Sequence, residues 1–191
     1  MTAPDTVRAF ISLEIPAELK EAIGALQRNL MAAAGDVGWV KGAALHLTLR
    51  FLGPVPVEKI SPLSEALGRM AAGRKRLMLT VGGVGAFPDL RRPRVIWVGL
   101  RDCDPLLRFQ KEVEDSVGRL GFEAERRPFV PHLTIGRVRS PRNGDALARA
   151  MEANADWSAG SFVLSDFCLM KSDLHPGGAV HTRLWSITLS E

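Results

Sequence analysis

His46-Leu47-Thr48-Leu49-Arg50-Phe51-Leu52-Gly53 is answered further along the chain by His132-Leu133-Thr134-Ile135-Gly136-Arg137. In both stretches Leu or Ile alternates with a polar residue, the period of two that marks a strand packed on one face. His and Thr share the other face. At a rise of about 3.3 Å per residue, their side chains stand roughly 7 Å apart at the base and lean toward a common point. Two such strands brought face to face would surround a small anion with two imidazoles and two hydroxyls, a set suited to phosphate chemistry.

The rest of the chain arranges itself around these two strands. Val7 to Leu13 is rich in β-formers and precedes Pro16, which suits the first turn of a helix. Leu19, Ile23, Leu26 and Leu30 then recur at steps of three and four through about Ala34, and Gly35 ends that helix. A short extended piece at Trp39 to Lys41 leads into the first histidine strand, Leu45 to Leu52, which Gly53-Pro54 should break. A second helix runs to about Ala72, with Pro62 opening or kinking it. Leu77 to Val81 reads as a strand, and Gly82 to Pro88 as a loop.

From Arg94 the order begins again. Arg94 to Leu100 is an apolar strand. Asp104 suits an N-cap before Pro105, and Leu106, Phe109, Val113, Val117 and Leu120 form a helical stripe closed by Gly121. The second histidine strand spans His132 to Val138. A helix near Asp145 to Asn154, a strand at Ser161 to Met170 and a last strand at Leu184 to Leu189 complete the chain. His46 and His132 are 86 positions apart, and the same offset carries Arg8 of the opening strand onto Arg94. Spacing, element order and motif agree, which argues for an internal duplication. The expected fold is α+β: two pseudo-twofold-related lobes, each an antiparallel sheet with outer helices, and a cleft between them faced by both His-x-Thr strands.

A chain of 191 residues suits one compact unit, residues 1–191, built of two lobes. Its 46% hydrophobic and 24% charged residues exclude extensive disorder. A net charge of +4, with Arg well in excess of Lys, mildly favours polyanionic partners. Cys103 and Cys168 lie far apart with no CxxC, which suggests neither a disulfide framework nor a zinc ribbon. The opening Met1 to Asp5 is no export signal, and no apolar run reaches the roughly 18 residues of a membrane span. A cytoplasmic protein with no membrane association and no obligate protein partner is expected.

An imidazole titrates near neutrality, so two on opposite sides of a phosphodiester can divide the proton transfers without a metal. Thr48 and Thr134 can donate to non-bridging oxygens. A metal site is the rival reading, yet neither motif has HExxH spacing, and His175 and His181 lie in a Pro-Gly-Gly segment near the end. Arg50 shares a face with His46 and Thr48 and is a candidate substrate contact. Arg127, stiffened between prolines on the way to His132, is either solvated surface or a contact to phosphate or RNA backbone. Phe10 and Phe51 either stack a base or pack in the interior.

These residues resemble the two-histidine (2H) phosphoesterases, with their HXTX motif, and within them the RNA 2′,3′-cyclic phosphodiesterase family, also called 2′-5′ RNA ligases. The resemblance extends to Arg8-Ala9-Phe10-Ile11, Trp39-Val40, Gly85-Ala86-Phe87-Pro88, Pro93-Arg94-Val95-Ile96-Trp97, Pro131-His132, and the tail Ser172-Asp173-Leu174 with Pro176-Gly177-Gly178-Ala179-Val180. It implies hydrolysis of 2′,3′-cyclic phosphates on RNA 3′ ends or small nucleotides to 2′-phosphates, without metal or cofactor, with 2′-5′ ligation as the reverse reaction. It implies His46 as proton donor, His132 as the base activating water, and Thr48 and Thr134 as phosphate holders. Ser172 and His181 are further substrate contacts on this resemblance, although His181 stands where the family often has Tyr. The alternative is an RNA-end binding module that grips phosphate without turnover.

Overall fold

The computed structural model describes residues 5–33, 35–140, 142–175 and 178–191. The expectations for Met1 to Pro4, for Ala34 and for the Pro176-Gly177 step fall outside the described residues. The chain is α+β, and its described residues form nine strands and four helices in the order β1 (Thr6–Glu14), α1 (Ala17–Met31), β2 (Val37–Trp39), β3 (His46–Pro56), α2 (Ile60–Ala71), β4 (Leu77–Phe87), β5 (Val95–Arg101), α3 (Asp104–Gly118), β6 (His132–Val138), α4 (Gly144–Ala153), β7 (Ser158–Leu164), β8 (Asp166–His175) and β9 (Gly178–Thr188). Among the described residues no helix is long and apolar enough to cross a membrane.

The strands form one sheet ordered β7-β4-β5-β6-β3-β1-β8-β9, with β2 also on β6, and every pairing between them is antiparallel. The two histidine strands are neighbours at its centre, joined through the single pair Leu47–Leu133. On either side of that seam the pairing is mirrored: β3 joins β1, then β8 and β9, while β6 joins β5, then β4 and β7. The duplication predicts that each half builds its own sheet. Instead β4, from the first half of the chain, lies in the sheet half of β5 and β6, and β8 and β9 lie beside β1 and β3.

The expected strand from Ser161 to Met170 is in fact two strands, β7 and β8, with only Ser165 between them. Five strands separate β7 from β8 in the sheet order, so the sheet must curl until its ends approach. Backbone bonds fasten that closure. Leu189 N–H donates to the Ser165 carbonyl at 2.8 Å, Arg76 N–H to Ser190 at 3.0 Å, and Ser190 N–H to Arg74 at 2.7 Å.

The Gly82 to Pro88 segment is not a loop; β4 runs through it to Phe87. A register shift between Val81 and Val84 absorbs the glycines as a bulge, with Gly83 at φ +81°. Gly85 has a different reason: a Cβ there would lie 2.3 Å from the Trp97 indole, so the ring lies flat on its backbone. Gly53-Pro54 likewise fails to break β3, because Gly53 pairs with Ala9 and Pro54 with Arg8. At Pro54 only β1 is paired to the strand, so the missing N–H costs no ladder bond.

The helices follow their apolar stripes. α1 buries Leu19, Ile23, Leu26 and Leu30, and α3 buries Leu106, Phe109, Val113 and Val117. Pro16 occupies the N-cap of α1, and Cys103 that of α3, which makes Asp104 the first helical residue, where its charge complements the helix dipole. α1 and α4 cover the β4 and β7 side, α2 and α3 the β3 and β9 side, over one continuous core. Buried Gln27 on α1 donates to the carbonyls of Val40 and Ile135, both at 2.8 Å, and so pins the helix to the back of β6.

Candidate active site

Leu47, Leu49, Leu133 and Ile135 are buried toward the helices. Alternation then turns His46, Thr48, His132 and Thr134 to the opposite face, where all four are half-buried. With Leu47 opposite Leu133 in an antiparallel pair, each histidine sits across the seam from the other strand's threonine. The histidines occupy the diagonal, which spans about 7–8 Å in a regular ladder.

Each ring is fixed in the same way. His46 Nδ1–H donates to the carbonyl of Ala44 at 2.9 Å, and His132 Nδ1–H to that of Val130 at 2.7 Å. In both, the acceptor lies two residues back. Since a carbonyl accepts only from a protonated nitrogen, the neutral rings carry their hydrogen on Nδ1 and offer a bare Nε2 for proton transfer.

The surroundings are aromatic. His46 stacks on Phe10 at 4.8 Å between ring centres and meets the His181 ring edge-on at 5.2 Å. His132 stands edge-on to Phe87 at 4.9 Å and tilts against Trp97 at 6.5 Å. Burial therefore pushes the His46 pKa down to about 4, helped by the charges of His181 and Lys20 and opposed by the Ala44 carbonyl. Burial lowers His132 too, with Arg137 adding to it and the Val130 carbonyl opposing it. Both imidazoles are neutral at pH 7. Among the described residues no group of three His, Cys, Asp or Glu side chains is placed to hold a metal ion.

Of the other residues singled out in the sequence, Phe10 is 2% exposed and packs beneath His46, a wall and not a free stacking face. His181 lies at the site, and buried Ser172 pairs with it across β8 and β9. Arg127 is exposed on the loop between α3 and β6. Arg50 corrects the sequence reading. The β1–β3 register passes from Ile11 opposite Arg50 to Ser12 opposite Thr48, so Leu49 is an extra residue and the strand changes phase. Arg50 turns to the helix side, 7% exposed, and is not in the cleft. There its Nε faces Glu114 at 2.7 Å, its Nη1 faces Glu125 at 3.4 Å, and its Nη2 donates to the Glu123 carbonyl.

The same bulge brings Phe51 to the cleft face, 54% exposed and 5.8 Å from Phe10. Sequence reasoning places Phe87 in a loop and Trp97 on an apolar strand, and it misses their contact with His132. Trp97 pairs with Thr134, a relation that only the strand register discloses.

A nine-stranded antiparallel sheet with two His-x-Thr strands at its seam defines the class: the chain belongs to the 2′-5′ RNA ligase superfamily, whose family model matches residues 10–176. It is 32% identical over 176 residues to the RNA 2′,3′-cyclic phosphodiesterase of Methanothermobacter thermautotrophicus, covering 92% of this chain and 95% of that protein. A relative of the same name from Thermotoga maritima is 32% identical over 179 residues, 94% of each chain. Among solved structures, TT0787 of Thermus thermophilus superposes with a TM-score of 0.80 at 28% identity, over 95% of this chain and 97% of that one. E. coli LigT complexed with 3′-AMP does so with a TM-score of 0.78 at 27% identity, over 98% of this chain and 100% of that one.

Proposed function

We propose that this protein is an RNA 2′,3′-cyclic phosphodiesterase that opens cyclic phosphates on RNA 3′ ends or small nucleotides to 2′-phosphomonoesters. The observation that carries the reading is the pair of matched imidazoles, each tied through Nδ1 to a backbone carbonyl two residues back, with Nε2 left for the substrate. The curated relatives bear that activity in their names, and E. coli LigT has been crystallised with 3′-AMP. The mirrored strand order and the 86-residue offset between His46 and His132 support a single duplicated unit over residues 1–191.

In this mechanism the cyclic phosphate sits between the rings with Thr48 and Thr134 donating to its non-bridging oxygens. His132 Nε2 takes a proton from water as the water oxygen bonds to phosphorus. The bond from phosphorus to O3′ breaks, and the Nε2–H of protonated His46 supplies the proton that O3′ needs to leave as a hydroxyl. His46 is neutral in the free protein at pH 7, and the negative phosphodiester supplies the charge that favours its protonation. No metal takes part. Attack by the 5′ hydroxyl of a second RNA in place of water breaks the same bond from phosphorus to O3′ and leaves a 2′-5′ linkage, which is ligation; in water ring opening dominates.

Neutral imidazoles with Nε2 left bare speak against a module that merely grips phosphate, because a nitrogen without a hydrogen cannot donate to an anion. The test is incubation with a 2′,3′-cyclic nucleotide in EDTA, followed by phosphorus NMR. The expected product is the 2′-phosphate; unchanged starting material overturns the proposal.

A further inference from the structure

We propose that His181 is a third imidazole of the site, a neutral hydrogen-bond donor that holds a phosphate oxygen on the His46 side of the cleft through Nε2–H. This rests on the phosphodiesterase reading above and adds a residue whose role sets how the substrate lies.

The argument begins from where the ring sits. β9 carries His181 opposite Ser172, and the side chain reaches over β1 to meet Phe10 edge-on at 5.0 Å and His46 edge-on at 5.2 Å. Its Nδ1 is buried and has no hydrogen-bond partner among the described residues, which leaves Nε2 as the nitrogen accessible to the cleft. A proton on Nδ1 would be stranded there, so the neutral ring carries it on Nε2. His46 and His132 are the reverse case, since their carbonyl partners hold the proton on Nδ1. The site thus offers two bare nitrogens able to move protons and one N–H able only to donate. Burial also disfavours charging His181, and a second positive charge 5.2 Å from His46 would repel it, so the donor stays neutral.

The His132 side differs in kind: the group near that ring is the exposed guanidinium of Arg137, whose charge lowers the His132 pKa, and not a neutral imidazole. The Trp97 ring beside it has its Nε1–H buried, away from any ligand. Of two near-equivalent histidines, His46 has a neutral imidazole at its shoulder where His132 has the Arg137 cation, and a cyclic phosphate placing a non-bridging oxygen on His181 presents one ester oxygen to His46. His181 is thereby a specificity-determining residue that orders an otherwise symmetric site.

Two measurements test this. With only four histidines in the chain, long-range proton–nitrogen NMR of the wild-type protein resolves each tautomer. The expected pattern is Nε2–H for His181 and Nδ1–H for His46 and His132, with the His181 Nε2–H resonance moving on titration with inorganic phosphate. Nδ1–H at His181, or a resonance that phosphate leaves in place, overturns the inference. The second uses His181→Gln, whose amide nitrogen falls where Nε2 does, against His181→Asn, whose amide falls at Nδ1, and His181→Phe, which keeps only the ring. On a 2′,3′-cyclic nucleotide the Gln variant is expected to stay within about threefold of wild-type KM. The Asn and Phe variants should raise KM by about tenfold or more with kcat changed far less, as loss of a bond to a charged group requires. Equal KM in all three, or rescue by Asn and not Gln, overturns it. A wild-type protein without turnover refutes the phosphodiesterase reading instead, and the NMR titration still decides the role of His181.

Discussion

Each imidazole of the proposed acid–base pair is tied by its Nδ1 hydrogen, so one nitrogen per ring remains for chemistry, and the consequences are measurable. His46→Ala and His132→Ala should each lower kcat on a cyclic nucleotide by about 10²–10⁴, the usual worth of a positioned acid or base. They separate on a substrate that needs no protonation to leave. With a nitrophenyl phosphodiester the His46 variant should recover most of its loss and the His132 variant little; the opposite pattern would exchange their roles. The pH dependence follows from burial. In the proposed mechanism turnover of free enzyme requires His132 neutral and His46 protonated, and both pKa values lie below the ordinary 6.5, that of His46 at about 4. As pH rises toward these values, neutral His132 accumulates and kcat/KM climbs; between them the two fractions compensate; above both, protonated His46 vanishes and the rate falls. The pH profile of kcat/KM should therefore peak on the acid side of 6.5 and decline through neutrality. A maximum at alkaline pH would contradict it.

Among the elements, β3 shows how one extra residue redistributes function. The bulge at Leu49 moves Arg50 from the cleft to the partly exposed carboxylates of Glu114 and Glu125 and puts Phe51 in its place. Arg50 holds Glu114 on α3 together with Glu123 and Glu125 of the loop that leads to His132. Its replacement by Met removes those contacts and leaves the Glu123 carbonyl without its donor, with an expected loss of about 1–3 kcal/mol in urea unfolding. KM for a cyclic nucleotide should change little, since the side chain does not reach the cleft. The elements themselves are legible: the stripes of α1 and α3 and the alternation of both histidine strands stand in the sequence. Bulges are not. A phase change in a strand is decided by what its neighbour offers, and so is a bare position such as Gly85, which the flat face of Trp97, a residue twelve positions away, covers. Glycines that look like a loop in one dimension are strand because an indole needs the room.

For the whole molecule, the near-repeat announces two similar sheet halves, and the four side chains at their seam are found by motif alone. What the repeat could not disclose is that strands cross between the halves, because an offset in sequence records equivalence and not pairing. The crossing has a thermodynamic consequence. With β4 in one half and β8 and β9 in the other, neither half is a continuous segment, and all helices share a single core. Unfolding should be one cooperative transition, coincident by near- and far-UV circular dichroism, and two separated transitions would refute that. Leu189, 2% exposed where the curled sheet closes, should shift that single transition when replaced by Ala, at a cost of about 2–5 kcal/mol.

The acceptors that orient the two rings belong to the main chain at positions 44 and 130. Any amino acid supplies the same oxygen. Ala44 and Val130 are therefore free to drift over evolutionary time while the tautomers stay put, and a comparison of related sequences searching for an invariant orienting side chain would find nothing there.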